Sequence, residues 1–384
     1  MSQDRILLSQ AHITQVEEEF VLDALRSGWV APLGPHVDAF ESEIAQRVGV
    51  AGALALSSGT AALHLGLEGL GADADSCVIL PSMTFAASAN AVLYTGARPV
   101  FVDSLPGDGN LDPALVEQAI EMVRSESGTV AAVMTVDLFG RCADNRAVTQ
   151  IADAAGIPVI EDAAEALGAR TAVGAAGSFG RAAALSFNGN KVMTTSGGGM
   201  LLSNDADLLA RARYLSTQAR QPVPWYEHTE LGYNYRLSNV LAALGRGQLS
   251  RLDEMIARRR AARARYEEAV ADIDGIRFLG SPASAAPEQA GDNYWLTSLV
   301  VDPSVHGLDA DTLVAGFAAR DIEARHLWKP MHLQPVFAGA QAVLSGVSAD
   351  LFAHGITLPS GSSLSDTQIE RVAQALTELL SVAR

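Results

Sequence analysis

The chain has 384 residues, enough for two or three domains and a large buried core. Its 27 Lys+Arg against 44 Asp+Glu give a formal charge of −17, which argues against a nucleic-acid partner and means that an anionic substrate needs a locally basic pocket. Cys77 and Cys142 are too few and too far apart for a metal site or a disulfide framework and suit a reducing cytoplasm; no signal-peptide core opens the chain, and no apolar run nears the ~20 residues that span a bilayer.

In chain order, residues 17–25 set Phe20, Val21 and Leu25 on one side at helical spacing, and residues 37–48 do the same with Phe40, Ile44 and Val48. Between them, Gly28-Trp29-Val-Ala-Pro32-Leu-Gly34-Pro35 is a shaped loop, with Trp29 expected in the core, the default for an aromatic. Residues 54–64 have the form strand, small-residue turn, helix. Free backbone amides at a helix start, with hydroxyls beside them, hold an anion without any cation. Ser58, Gly59 and Thr60 are therefore a candidate phosphate cradle, although Ser-Gly-Thr also simply caps helices. The segment is neither a Walker loop nor a dinucleotide fingerprint.

Short apolar runs follow at 78–80, 99–102, 130–136, 157–160, 183–187 and 200–202, with helical segments such as 114–123 and 147–155 between most of them. That alternation predicts an α/β fold with a mostly parallel sheet covered on both faces. Phe85, past the end of one such run, can stack on a planar ring or serve as core. Residues 242–270 predict one long helical stretch, Leu244, Leu249, Leu252, Met255 and Ile256 on one side and Arg258, Arg259, Arg260, Arg263 and Arg265 on a solvated face. An Ala/Pro/Ser loop is expected at 281–291, a strand at 295–301, a helix at 313–319, and a final amphipathic helix capped by Ser365 or Asp366. The expected division is a large α/β domain at 30–245 and a smaller α+β domain built from 1–29 and 246–384.

Two stretches carry the chemistry. Ser186-Phe-Asn-Gly-Asn-Lys191 ends an apolar run on a single lysine and leaves through Gly197, Gly198 and Gly199, which let backbone approach a ligand closely. A lysine held where the neutral amine is favoured is a nucleophile towards carbonyl compounds; the plain alternative is a solvated surface loop. Ile157-Pro-Val-Ile-Glu161-Asp162-Ala-Ala-Glu165 reads as a buried strand whose carboxyl end opens on a crevice. Asp162 is either a helix N-cap or a carboxylate that keeps a pyridinium nitrogen protonated. A Schiff-base lysine with an acidic partner for the ring nitrogen is the arrangement that holds pyridoxal 5′-phosphate.

In order, Ser-Gly-Thr-Ala-Ala-Leu, Pro-Ser-Met-Thr-Phe, Glu-Asp-Ala-Ala-Glu, Ser-Phe-Asn-Gly-Asn-Lys and Gly-Tyr-Asn-Tyr-Arg resemble the DegT-type sugar-nucleotide aminotransferases, fold-type-I pyridoxal-phosphate enzymes, over nearly the whole chain. The Trp-Lys-Pro-Met-His-Leu-Gln-Pro-Val-Phe segment and Thr-Thr-Ser-Gly-Gly-Gly-Met are most similar to members that aminate UDP-2-acetamido-4-keto-2,4,6-trideoxyglucose. The resemblance implies that Lys191 is the Schiff-base lysine and proton carrier and that Asp162 binds the ring nitrogen. It implies that Ser58, Gly59, Thr60 and Ser186 hold the phosphate, Phe85 stacks on the ring, and Glu165 lies near the phenolic oxygen, where many relatives have Gln or His. Asn234 is implied to reach the phosphate of a neighbouring subunit, which makes the enzyme a homodimer with shared sites. Trp29, Arg325, Lys329 and His332 are implied candidates for nucleotide or sugar. L-Glutamate is the expected amino donor, the expected location is cytoplasmic, and no metal is expected. Alternatives are a dTDP-linked or 3-keto substrate, a sugar dehydratase (disfavoured because such relatives carry histidine for the lysine), a non-catalytic sugar-nucleotide sensor, and a dinucleotide oxidoreductase.

Overall fold

Short runs of Val, Ile, Leu and Ala, apolar on both faces, are satisfied only inside a sheet covered on two sides. In the computed structural model, which describes residues 5–285 and 290–381, they form that sheet. Helices α1 (Gln15–Ser27) and α2 (Pro35–Val48) lead into β1 (Gly52–Leu56), α3 (Gly59–Gly69), β2 (Ser76–Pro81), α4 (Ala86–Tyr94) and β3 (Arg98–Val102). Then come α5 (Pro113–Ser125), β4 (Thr129–Val136), α6 (Asn145–Ala154), β5 (Val159–Asp162), the small strands β6 (Arg170–Thr171) and β7 (Gly174–Ala175), β8 (Ala182–Ser186), β9 (Gly199–Ser203) and α7 (Ala206–Ser216). The remainder holds α8 (Asn239–Ser250), α9 (Leu252–Ala269), β10 (Ile276–Phe278), β11 (Ala290–Gly291), β12 (Thr297–Val301), α10 (Pro303–His306) and α11 (Ala310–Ala318). It ends with β13 (Arg325–His326), β14 (Gln341–Val343), α12 (Val347–His354), β15 (Gly355–Leu358) and α13 (Asp366–Ser381).

The large sheet has the order β1-β9-β8-β5-β4-β2-β3-β14. All its pairings are parallel except the two made by β9, so β9 runs against its neighbours while the other strands share one direction. Alternate residues divide between two cores: Leu54, Leu56, Val78 and Leu80 face the layer of α3 and α4, while Ala53, Ala55, Cys77 and Ile79 face the opposite side. A second, antiparallel sheet, β10-β12-β15-β13, packs its Leu299, Val301, Ile356 and Leu358 on α9, α11 and α13. Small strands β11-β6-β7 form a third.

Several expectations change. The helix expected over 242–270 is two helices, broken at Arg251, whose guanidinium is drawn to Glu17 (2.9 Å) and the Thr14 hydroxyl (3.1 Å). The arginine run is only in part a solvated face, with Arg258 and Arg265 exposed. Arg259 and Arg263 are buried, and Arg258, Arg259 and Arg260 all donate to backbone carbonyls of the C-terminal part. Trp29 is not core: it is 49 % exposed, because its glycine- and proline-rich loop runs over the surface. In the loop expected at 281–291, residues 286–289 lie outside those described, and β11 pairs with β6. β14 joins the large sheet from the C-terminal third, and α1 packs on α8. Ser365 does cap the last helix, accepting from Gln368 N–H at 3.2 Å.

Candidate active site

Because β1, β2, β4, β5 and β8 share one direction, their carboxyl ends meet along one edge, the usual place for a ligand crevice. A cavity of about 400 Å³ opens there. Ser58, Gly59 and Thr60 reach it from the turn after β1, Phe85 from the loop after β2, Asp162 and Glu165 from the end of β5, Ser186 from the end of β8, and Lys191 from the turn that follows. A larger groove of about 870 Å³, between the end of α2 and α9, contains neither lysine nor this acid pair.

Lys191 Nζ lies 3.6 Å from Glu165 Oε1 and 3.9 Å from the centre of the Trp295 ring. Burial pushes the amine below its ordinary pKa, against the upward pull of Glu165 and Asp162. Burial likewise pushes Glu165 up, against Lys191 and the Phe139 N–H. Burial thus acts against the charged form of both groups, while each group's charge acts in favour of the other's. Glu165 is held by Phe139 N–H at 2.7 Å and the Trp328 indole N–H at 3.3 Å.

Asp162 is 4 % exposed. Its Oδ2 accepts from Ser88 Oγ (2.7 Å), itself in contact with Thr84 Oγ1 (2.7 Å), and its Oδ1 accepts from Ala164 N–H (3.1 Å). Burial pushes its pKa up, and the Ser88 hydroxyl, Ala164 amide and Lys191 pull it back. A turn rather than a helix follows, so the helix N-cap alternative is not realised. Ser58 does cap α3, accepting from Ala61 N–H at 3.0 Å, and also lines the cavity. The close approach of two turns explains one of the three glycines: a Cβ on Gly199 would lie 2.3 Å from the Ser58 carbonyl carbon. Phe85 is 54 % exposed, edge-on to Trp328, so its core alternative is not realised either.

Arg325 lines the cavity, its guanidinium 2.6 Å from Glu323. The other expected residues lie apart from it. Trp29 and Lys329 are exposed and do not line the cavity, and His332 Nδ1 is engaged by Ser82 Oγ at 2.6 Å. Asn234 is exposed on a segment beside β1, where Ser57 N–H donates to Tyr235 O. Residues that sequence reasoning missed are Ser88, Trp295 and Trp328. Trp328 stood inside a quoted motif; Ser88 and Trp295 had no local signal, because loops far apart in sequence bring them here.

The site fits pyridoxal 5′-phosphate: a helix start lined by hydroxyls for a phosphate, a buried carboxylate with its own donor, an aromatic wall and one amine. The DegT/DnrJ/EryC1/StrS aminotransferase family model matches residues 11–377. Among similar proteins, a putative pyridoxal phosphate-dependent aminotransferase, EpsN, of Bacillus subtilis (strain 168) is 44 % identical over 98 % of this chain and 96 % of its own. GDP-perosamine synthase of Caulobacter vibrioides is 34 % identical over 98 % of each. The crystal structure of DesI in the presence of its TDP-sugar product superposes with a TM-score of 0.86 at 30 % identity, covering 99 % of this chain and 94 % of that one. The chain therefore belongs to the DegT/DnrJ/EryC1/StrS aminotransferase family and is a pyridoxal-phosphate-dependent sugar-nucleotide aminotransferase of fold type I.

Proposed function

We infer that this enzyme aminates C4 of a nucleotide-linked 4-keto-6-deoxysugar, UDP-2-acetamido-4-keto-2,4,6-trideoxyglucose, with L-glutamate as donor and a homodimer as the working unit. The reaction is carried by one observation: a single lysine and a buried aspartate from separate strand ends share a cavity with a helix start. The choice of sugar rests on the residue pattern from Trp328 to Phe337. Similar proteins named for GDP- and TDP-linked sugars make the nucleotide the first thing to test.

Bound in this cavity, pyridoxal 5′-phosphate supplies an electron sink for a carbanion at the reacting carbon. The protein's residues do the rest. Ser58, Gly59, Thr60 and Ser186 hold the phosphate, and Phe85 covers the ring. Asp162, to which the Ser88 hydroxyl donates, would favour a proton on the ring nitrogen. Lys191 Nζ, whose pKa burial lowers, would hold the cofactor's aldehyde carbon and, when free, would carry a proton between the two carbons that flank the imine nitrogen. Glu165 stands beside that amine and would lie near the cofactor's phenolic oxygen. Arg325 supplies a cation for a diphosphate or carboxylate in a chain that is otherwise acidic. Trp29, Lys329 and His332 serve the nucleotide or sugar from outside the cavity wall.

Asn234 reaches the phosphate bound by a second copy, and the exposed Trp225, Tyr226 and Leu231 that precede it are apolar surface such a copy covers. A cytoplasmic location is our reading of the cysteine usage, two free thiols that suit a reducing compartment. Among the described residues no helix is long and apolar enough to cross a membrane. Purified protein given glutamate and UDP-, dTDP- and GDP-linked 4-keto sugars, with products identified by mass and NMR, tests the substrate. Amination of the UDP sugar is expected; turnover confined to another nucleotide would end the specific claim. Borohydride reduction and peptide mapping, with the adduct expected on Lys191, tests the linkage.

A further inference from the structure

We propose that Trp295 is a positioning residue for Lys191, its ring face holding the free ammonium and its indole N–H fixing the turn that carries the lysine. The inference rests on Lys191 being the reactive amine. Trp295 comes from the chain between β11 and β12, over a hundred positions from the lysine, yet its ring is 1 % exposed and lines the cavity. Lys191 Nζ sits 3.9 Å from the ring centre, the geometry of a cation–π contact.

The opposite side of the same side chain acts on the backbone. Trp295 Nε1–H donates to the carbonyl of Asn190, the residue before the lysine, at 2.6 Å; Ser9 Oγ donates to the same carbonyl at 2.8 Å. Trp295 is itself held from two sides. Its N–H donates to Asn293 Oδ1 (2.8 Å), and its carbonyl accepts from the buried Arg259 (2.9 Å), which also donates to Ser9 Oγ (3.2 Å). The backbone bends unusually to bring it there: Tyr294 has φ 53°, and the facing Phe139 and Gly140 have φ 56° and 99°. A side chain at Gly140 would collide with Asn293 Oδ1 and crowd Trp295 N. Strained backbone of this kind persists where the surroundings impose it and clusters at functional sites.

Three influences therefore meet at the amine. Burial disfavours its cation, the carboxyl groups of Glu165 and Asp162 favour it, and so does the face of Trp295; Arg325, which lines the same cavity, is paired with Glu323. The ring lets a protonated lysine be held in place without tying it to an acid that would keep the proton.

The chain has only two lysines, Lys191 and Lys329, so trace labelling of the full-length protein, stripped of cofactor so that the Lys191 amine is free, with acetic anhydride across a pH series, read by peptide mass, reports both directly. Trp295→Leu should move the Lys191 labelling midpoint to lower pH and raise its labelling on the rising limb by about tenfold, a desolvated cation–π contact being lost. The exposed Lys329 is the internal standard and should not move. Trp295→Phe keeps a ring face but loses the N–H. Its labelling should stay within about twofold of the parent, while kcat falls by about tenfold with KM for the nucleotide sugar unchanged, one hydrogen bond being lost. Both variants are first checked for native circular dichroism. An unmoved or upward-shifted midpoint in the Leu variant, or equal shifts in both, would overturn the proposal. Labelling is read on protein freed of cofactor, so a borohydride adduct mapped elsewhere in the loaded enzyme would count against the role of Lys191 and leave this result standing.

Discussion

At the scale of single residues, Asp162 and Ser88 illustrate how burial and a hydroxyl donor act in opposite directions on one carboxyl group. Isolated in this layer Asp162 would take up a proton, and the Ser88 hydroxyl, held by Thr84, opposes that. Asp162→Asn should retain cofactor through the turn after β1 but lower kcat by about 10³, the scale of losing one preorganised charge partner in a dry site. Visible absorbance and steady-state kinetics separate the two effects. Ser88→Ala should lower kcat by roughly tenfold, since a hydrogen bond to a charged acceptor contributes about 1.5–3 kcal/mol. An unchanged rate would mean that Asp162 keeps its charge without the serine. That Lys191 and Asp162 would lie at the cavity could be read in the sequence because each follows an apolar run. Ser88 and Trp295 could not, since what they touch is decided by the sheet.

At the scale of elements, two packing features organise the site. The turn after β1 and the start of β9 approach so closely that only glycine fits at position 199. Gly199→Ala should push the Ser58–Gly59 backbone away and weaken cofactor retention more than tenfold, measured by titrating the stripped protein and following visible absorbance. The second feature is α9, where Arg259 ties α9 to the ends of β12 and β15 through the carbonyls of Trp295 and Ser360. Its burial pushes the guanidinium pKa down to about 10. Arg259→Met leaves those carbonyls without their donor and should cost about 3 kcal/mol in unfolding free energy, each unsatisfied buried group costing about 1–3 kcal/mol. Denaturant unfolding checks it. A run of arginines on a helix looks the same in sequence whether solvent or backbone carbonyls receive it, which is why this face was misread.

At the scale of the whole molecule, parts distant in sequence interleave. β14 extends the large sheet from the C-terminal third, and α1 lies on α8 through Glu17, Gln248 and Arg251. A division at residues 30–245 is therefore kept as a proposal about folding units, with these crossings expected to make unfolding of the two parts cooperative. Beneath Asp162, Asp137 and Glu161 form a buried acid pair. Burial pushes Asp137 up to about 6, and burial together with Asp137 pushes Glu161 well above the carboxylate range. The folded protein thus keeps a proton that the unfolded chain releases near pH 4. The resulting stability is present below about pH 4 and is lost as pH rises through about 6. Asp137→Asn should make that decline shallower, as measured by thermal unfolding between pH 4 and 8.

The order of short apolar runs and helical segments determined the mostly parallel sheet, because residues apolar on both faces have only one way to leave water. The same runs located the lysine, the aspartate and the turn after β1 that line the cavity, each being where a strand stops and its polar end emerges. Strand order, the reversed β9, the insertion of β14 and the encounter of Lys191 with Trp295 came only with the tertiary structure. These depend on which non-local surfaces pack together, and local pattern carries no record of that choice.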